Sequence, residues 1–236
     1  MEKVVLLSTD TLHHRYFVNY LSNAGVLIDH ILFETTHVSP PFAVEPRYQC
    51  DEAEFERNRW SNNLSLGDIP ISEVENFNDT KSKTILQNLA PTLGIVFGAR
   101  KLQSEVFTLF SSGLLNVHRG LVQRYRGLDS ELWAIYRSDW TSIGVTIHFV
   151  DQNLDTGPIV LQEALVLNSG MKIHHLRALT TEIAARLVLS AIRMENRSVK
   201  RYPEQRKPGR YYSFMHRDLK NICESMFNQY CGQLNI

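Results

Sequence analysis

Two short stretches of the chain combine residue types that can handle a proton and a developing negative charge. In Leu114-Leu115-Asn116-Val117-His118, two polar side chains sit two apart at the end of an apolar run. Strand periodicity puts residues i and i+2 on one face, so Asn116 and His118 project together. An amide N–H and an imidazole can each donate to an oxygen that is gaining charge. The second stretch, His148 through Pro158, reads as a strand entering a loop with Asp151 and Asp155 and closing on Gly157-Pro158. A carboxylate there can orient an imidazole or receive a proton. Each stretch alone also has an ordinary reading: a satisfied polar pair at a strand end, and a turn built on Asp and Gly. His118, His148 and Asp155 are metal-ligand types as well, but no tight ligand pair such as His-Glu-x-x-His occurs, so no metal is expected.

The elements that would position these residues follow from apolar patterning. Lys3 to Ser8 reads as a buried strand. The apolar positions of Leu12 to Leu21 recur at helical spacing, with Asp10 as a cap and Gly25 as a stop, and Val26 to Phe33 reads as the next strand. Strand, helix, strand in this space opens a parallel α/β unit. Thr35 to Pro70 is broken by Pro40-Pro41 and Pro46, and reads as a surface excursion without chemistry, with a polar helix at Asp51 to Trp60. Further strands are expected at Leu93–Phe97, Leu114–His118, Ile143–Val150 and Ile159–Leu167, and helices at Ser104–Phe110 and Asp129–Tyr136. His174 to Met194 carries the longest helical repeat; a short strand at Val199–Tyr202 and a helix from about His216 complete the pattern.

Composition bounds the partners. Of 236 residues, 43% are hydrophobic and 21% charged, enough for one α/β domain with a short appendage, divided at 1–196 and 197–236. Lys+Arg and Asp+Glu both number 25, so the basic surplus that phosphate neutralisation requires of a nucleic-acid binder is missing. The N-terminal apolar run is too short for a signal peptide, and no stretch approaches a membrane span. Cys50, Cys223 and Cys231 show no CxxC spacing, which suits reduced thiols in a cytoplasmic protein.

Taken together, the two polar stretches resemble the folate-dependent formyltransferases: the glycinamide ribonucleotide, methionyl-tRNA and nucleotide-linked amino sugar enzymes, with formyltetrahydrofolate hydrolase as a relative. Asn116-Val117-His118 matches the family's Asn-x-His. His148 through Pro158 matches its His-Phe-Val-x-x-x-Leu-Asp-x-Gly-Pro loop, which puts the catalytic aspartate at Asp155. The likeness is firm from about Leu93 to Leu161. It implies a Rossmann-like, mostly parallel sheet flanked by helices, with 10-formyltetrahydrofolate as co-substrate. Phe97, Gly98, Ala99, Arg100, Lys101 and Leu102, facing Val150, Asp151, Leu154 and Asp155, would wall the folate. Asn116 and His118 would stabilise the oxyanion of a tetrahedral intermediate, and Asp155 would orient His118 or take the amine's proton, without an acyl-enzyme.

The amine acceptor is approached by exclusion. Ser8-Thr9-Asp10-Thr11 lacks the glycine-rich phosphate turn of the purine enzymes, and Asp10 would repel phosphate. The roughly forty residues after the long helix are too few for the tRNA enzymes' added barrel domain, and the chain opens on its first strand where the hydrolases bear a regulatory domain. What is left is the small enzymes acting on a nucleotide-linked 4-amino-4,6-dideoxy sugar; another small amine, hydrolysis, or a non-catalytic binding module stand behind it. Arg119 replaces the proline that often follows Asn-x-His. With His148, Tyr125, Arg126, Trp133, Lys200, Tyr211 and Tyr212 it makes up the expected acceptor side, and His13-His14 could join it. A homodimer through the C-terminal segment is a further expectation.

Overall fold

The computed structural model describes residues 2–60, 64–194 and 202–234. In chain order the first half holds β1 (Val4–Ser8), α1 (Leu12–Asn23), β2 (His30–Glu34), α2 (Gln49–Arg59), β3 (Ile71–Val74), α3 (Thr80–Leu89), β4 (Leu93–Phe97) and α4 (Ser104–Phe107). The second half holds β5 (Leu114–Arg119), β6 (Tyr125–Gly127), α5 (Ser130–Tyr136), β7 (Gly144–Phe149), β8 (Ile159–Ala164), α6 (Leu176–Arg193), β9 (Arg210–Tyr212) and α7 (Arg217–Gln233). Seven strands form one sheet in the order β3-β2-β1-β4-β5-β7-β8. The pairs from β3 through β5 are parallel, whereas β5–β7 and β7–β8 are antiparallel. The fold is therefore the mostly parallel α/β sheet that the family resemblance implies, opened by the parallel unit that the patterning predicts.

β1, β4, β5 and β7 are apolar along most of their length because both sheet faces are covered. Phe17 and Val18 of α1, with Ile183, Leu187 and Val188 of α6, cover one face over Leu6, Ile31, Ile95, Leu115 and Ile147. Leu86 of α3 and Val106 of α4 cover the other over Val5, Leu7, Leu32 and Val96. A third cluster joins α5 to α7 through Ala134, Ile135, Cys223, Phe227 and Cys231, so two of the three free thiols are buried. Burial holds Cys223 near 12, where the thiolate is not formed.

Several sequence expectations are corrected. Asp10 does not cap α1: Thr11 holds the cap position without a side-chain bond, and Asp10 instead pairs with Arg15 at 2.5 Å. β3 and α3 form where no element is expected. β3 buries only Val74 and is held by its parallel ladder to β2. α3 is started by Asp79, whose side chain accepts from the Ser82 N–H. The strand expected at Val199–Tyr202, and with it Lys200, lies outside the described residues except for Tyr202. No helix among the described residues is long and apolar enough to cross a membrane.

Candidate active site

The sheet changes strand order on either side of β1, and the carboxyl ends of β4 and β5 open there into a cavity of about 530 Å³. Open α/β sheets place their ligands at this point because successive connections leave in opposite directions. Phe97 and Gly98 end β4 at the cavity, and Asn116 and His118 end β5 there. Gly98 has φ +79°, a left-handed turn that leaves peptide backbone at the cavity wall. On the antiparallel side Asn116 is the register partner of His148, so the two polar stretches meet as a cross-strand pair. A register irregularity at Ile147/His148, toward β8, lies beside this pair.

Four side chains then form one buried network. The Asn116 amide donates one hydrogen to His148 Nε2 at 3.0 Å and the other to Asp155 Oδ1 at 3.2 Å. His148 can accept at Nε2 because its Nδ1 donates to the Phe149 carbonyl at 2.8 Å. Asp155 Oδ2 accepts from the Gly127 N–H at 2.8 Å and lies 3.3 Å from His118 Nδ1. His118 Nε2 donates to the Tyr125 carbonyl at 2.9 Å. Asp155 itself adopts φ +54°, a conformation that Asp tolerates better than most side chains.

The electrostatics follow from burial and these partners. Burial alone would raise the Asp155 pKa, but positive charge on His118 and His148, together with the Gly127 N–H, overcomes it and holds the carboxyl at about 2; while both imidazoles are neutral the lowering rests on the N–H donors alone. Burial lowers the His118 pKa, and Asp155 pulls against it. Since Nε2 is committed as a donor, a neutral His118 turns a lone pair at Nδ1 toward the carboxylate; the contact becomes attractive once Nδ1 takes up a proton. His14, 5% exposed, is lowered by burial to about 3, and His13 is lowered too, so both are neutral near pH 7.

Glu131 shows the opposite shift. Burial pushes its carboxyl from 4.5 up to about 7, against the pull of Arg119 and a hydrogen bond with Thr180. A folded pKa above the unfolded one stabilises fully below about pH 4.5 and loses that contribution as pH rises through 7. The span corresponds to about 3 kcal/mol. In urea, the advantage of the wild type over Glu131→Gln should therefore shrink by about 2 kcal/mol between pH 5 and 7.5, on top of the rise with pH that the lowered His13, His14 and His118 give to both proteins. A constant difference between the two would sink the assignment.

Of the residues expected at the folate, Phe97, Gly98, Ala99 and Leu154 line the cavity. Leu102 and Val150 pack in the second apolar cluster, Lys101 is exposed, and Arg100 is paired with Glu34 at 2.6 Å. Asp151 accepts from the Thr156 hydroxyl, which braces the loop carrying Asp155. On the expected acceptor side, Arg119, His13 and His14 reach the cavity. Arg126 is bound to the Gly209 and Leu154 carbonyls, while Tyr212 stacks between Tyr125 and Trp133 at centroid distances of 5.4 and 5.0 Å; none of these side chains lines the cavity. Tyr211 is half exposed. Sequence reasoning missed one wall altogether: the supposed surface excursion brings Glu45, Tyr48, Gln49 and Glu52 to the cavity. The charged first turn of α2, with Asp51 and Glu52, was the available signal.

Comparison with known proteins accords with this geometry. The sequence pattern of the family described as formyl transferase matches residues 55–192, and the chain belongs to that family. A methionyl-tRNA formyltransferase of Pelotomaculum thermopropionicum is 27% identical over 142 residues, 59% of this chain and 45% of its own length. A phosphoribosylglycinamide formyltransferase of Haemophilus influenzae is 33% identical over 135 residues, 57% of this chain and 58% of its own. This chain thus spans less than half of that methionyl-tRNA enzyme. Among solved structures, a likely sugar N-formyltransferase from Mycobacterium tuberculosis has a TM-score of 0.60 at 18% identity, covering 90% of this chain and 75% of its own. The formyltransferase PseJ from Anoxybacillus kamchatkensis, solved with UDP-4,6-dideoxy-4-formamido-L-AltNAc and tetrahydrofolate, has a TM-score of 0.55 at 19% identity, covering 89% and 85%. These likenesses show the fold.

Proposed function

We propose that this protein is an N-formyltransferase that moves the formyl group of 10-formyltetrahydrofolate onto the amine of a nucleotide-linked 4-amino-4,6-dideoxy sugar. The observation that carries the chemistry is the buried network of Asn116, His118 and Asp155 at the cavity. The left-handed turn at Gly98 offers peptide N–H and C=O groups suited to a pterin edge, with Phe97, Ala99 and Leu154 beside it; bound there, the folate supplies the activated formyl carbon. The incoming amine forms the C–N bond as the bond from the formyl carbon to the folate nitrogen breaks, and that nitrogen takes up the proton the amine gives up. Asp155 already accepts from the fixed Asn116 and Gly127 N–H groups, so it acts on the amine's proton through His118 rather than directly. His118 Nδ1 is the better acceptor, because the resulting imidazolium then faces an ionised Asp155 at 3.3 Å. Asn116 has both amide hydrogens engaged, so serving the oxyanion requires it to release one of them as the carbonyl oxygen gains charge.

The choice of a sugar acceptor is supported by structural neighbours described as sugar N-formyltransferases and by one holding a UDP-linked formamido sugar, and by the absence of glycine from Ser8-Thr9-Asp10-Thr11. A soluble enzyme of the cytoplasm, with no metal, follows from the same reading. Incubating the protein with 10-formyltetrahydrofolate and dTDP-, GDP- and UDP-linked 4-amino sugars should yield tetrahydrofolate and a formamido product in equal amounts. Release of formate without an amine would replace transfer by hydrolysis, and product from only a simple amine would replace the sugar.

A further inference from the structure

Arg119 and Glu131 both line the cavity with hydrogen-bonding capacity unspent. Arg119 follows directly on His118, where the resemblance leads one to expect proline, and it lines the cavity. Its guanidinium makes no hydrogen bond or ion pair among the described residues. The other lining cations are committed: Arg177 to Glu52 and Glu56 at 2.6 Å, and Lys220 to Asp129 at 3.0 Å. Glu131, on the first turn of α5, is 7% exposed, and its buried Oε1 has no hydrogen-bond partner. The two are close enough to feel one another's charge and lie beyond ion-pair distance. His118 is near at hand. A Cβ built on Gly120 would sit 2.7 Å from Ser130 Cβ and 2.9 Å from His118 Nε2, so the start of α5 abuts the imidazole.

A buried carboxyl oxygen without a partner costs stability, and a half-buried guanidinium near it would ordinarily be drawn to it. Held apart across a cavity, they suit a ligand that is anionic at one end and a hydrogen-bond donor at the other. The pterin is expected elsewhere, on the backbone of the Phe97–Ala99 turn.

The geometry points to Arg119 and Glu131 as the acceptor-recognition pair: Arg119 binds an anionic group carried by the acceptor, and Glu131 accepts a hydrogen bond from an amine or hydroxyl of the same molecule. This assignment rests on the transferase reading for the word acceptor, but not for the anion site. The anion can be the diphosphate of a nucleotide sugar or a carboxylate on a smaller amine, and binding separates the two. The groups facing Glu131 are Arg119 on β5, Thr180 on α6, Glu52 on α2 and Asp129 before α5; a change of pH moves this set together, so substitutions are the cleaner probe.

The experiment is calorimetric binding of UDP, dTDP, GDP and tetrahydrofolate to the wild type, Arg119→Met, Arg119→Lys and Glu131→Gln, alongside KM values for 10-formyltetrahydrofolate and the amine. Loss of a charge-assisted contact should raise the diphosphate Kd and the acceptor KM in Arg119→Met by about 10- to 100-fold. Arg119→Lys should recover part of that loss, and tetrahydrofolate should bind within twofold of wild type. Glu131→Gln should raise the acceptor KM without weakening diphosphate. If Arg119→Met weakens tetrahydrofolate and spares the diphosphates and the acceptor, or changes none of these, the pair is not an acceptor site. Diphosphate binding that depends on Arg119 without any formyl transfer would uphold the pair and sink the transferase reading. Formylation of a carboxylated amine with an Arg119-dependent KM, and no diphosphate binding, would uphold the pair and replace the sugar.

Discussion

Asp155→Asn is expected to lower kcat by about 10³-fold while the protein still folds. Asparagine tolerates the left-handed backbone at this position, where φ is +54°, and it matches aspartate in size. What it loses is the charge that makes a protonated His118 favourable at 3.3 Å. It also sets an NH₂ group against one of the N–H donors that now serve the carboxylate, Asn116 Nδ2 or Gly127 N. That mismatch should cost about 1–3 kcal/mol, a fall of a few degrees in Tm for a domain of this size. The pH dependence supplies a second readout. Because the folded Asp155 pKa is depressed from 3.8 to about 2, its contribution to stability is present above about pH 4 and is lost as pH falls toward 2. The variant should lose that part of the acid dependence. A kcat within threefold of wild type would remove Asp155 from the chemistry.

Gly157→Ala is expected to damage folding and turnover together. A Cβ at residue 157 would stand 1.9 Å from the Phe149 carbonyl oxygen, a backbone atom. That carbonyl cannot simply retreat. It accepts from His148 Nδ1 at 2.8 Å, and the Phe149 N–H is held by the Pro158 carbonyl at 2.9 Å. Relieving the clash must shift either the loop that carries Asp155 or the tautomer of His148 on which the Asn116 bond depends. We expect a loss of about 3 kcal/mol, at the upper end for an overpacked site, and a fall in kcat of roughly 10²-fold. Gly232→Ala is the control: nothing lies within 4 Å of its added Cβ in the last turn of α7, so its stability should stay within about 0.5 kcal/mol of wild type. Equal stability of the two variants would contradict the packing described here.

How much could be read beforehand differs between elements. β1, β4, β5 and β7 announce themselves because both sheet faces are covered and most of their residues must be apolar, the polar ones of β5 and β7 falling at the site. α6 is legible because its buried residues recur at helical spacing. β3 and α3 are not: β3 is an edge strand with one buried residue and Ile71 exposed, and α3 buries only Ser82 and Leu86. Their stability comes from pairing with β2 and from the Asp79 cap, and an apolar pattern records neither. The tyrosines of the C-terminal strip showed composition without direction. Only the parallel pairing of β9 with β6 turns Tyr212 onto Tyr125 and Trp133, where it backs the loop that offers the Gly127 N–H.

The sequence by itself determined the family and the polar set Asn116, His118, His148 and Asp155, because local chemistry at fixed spacing is written into neighbouring residues. Tertiary structure decided which hydrogens are already spent, which N–H groups the Asp155 carboxylate holds, and that Glu52, Arg119 and Glu131 share one cavity. Those properties depend on burial and on distances between elements far apart in the chain. A strand period cannot encode them, since each is set by what the rest of the fold packs against the site.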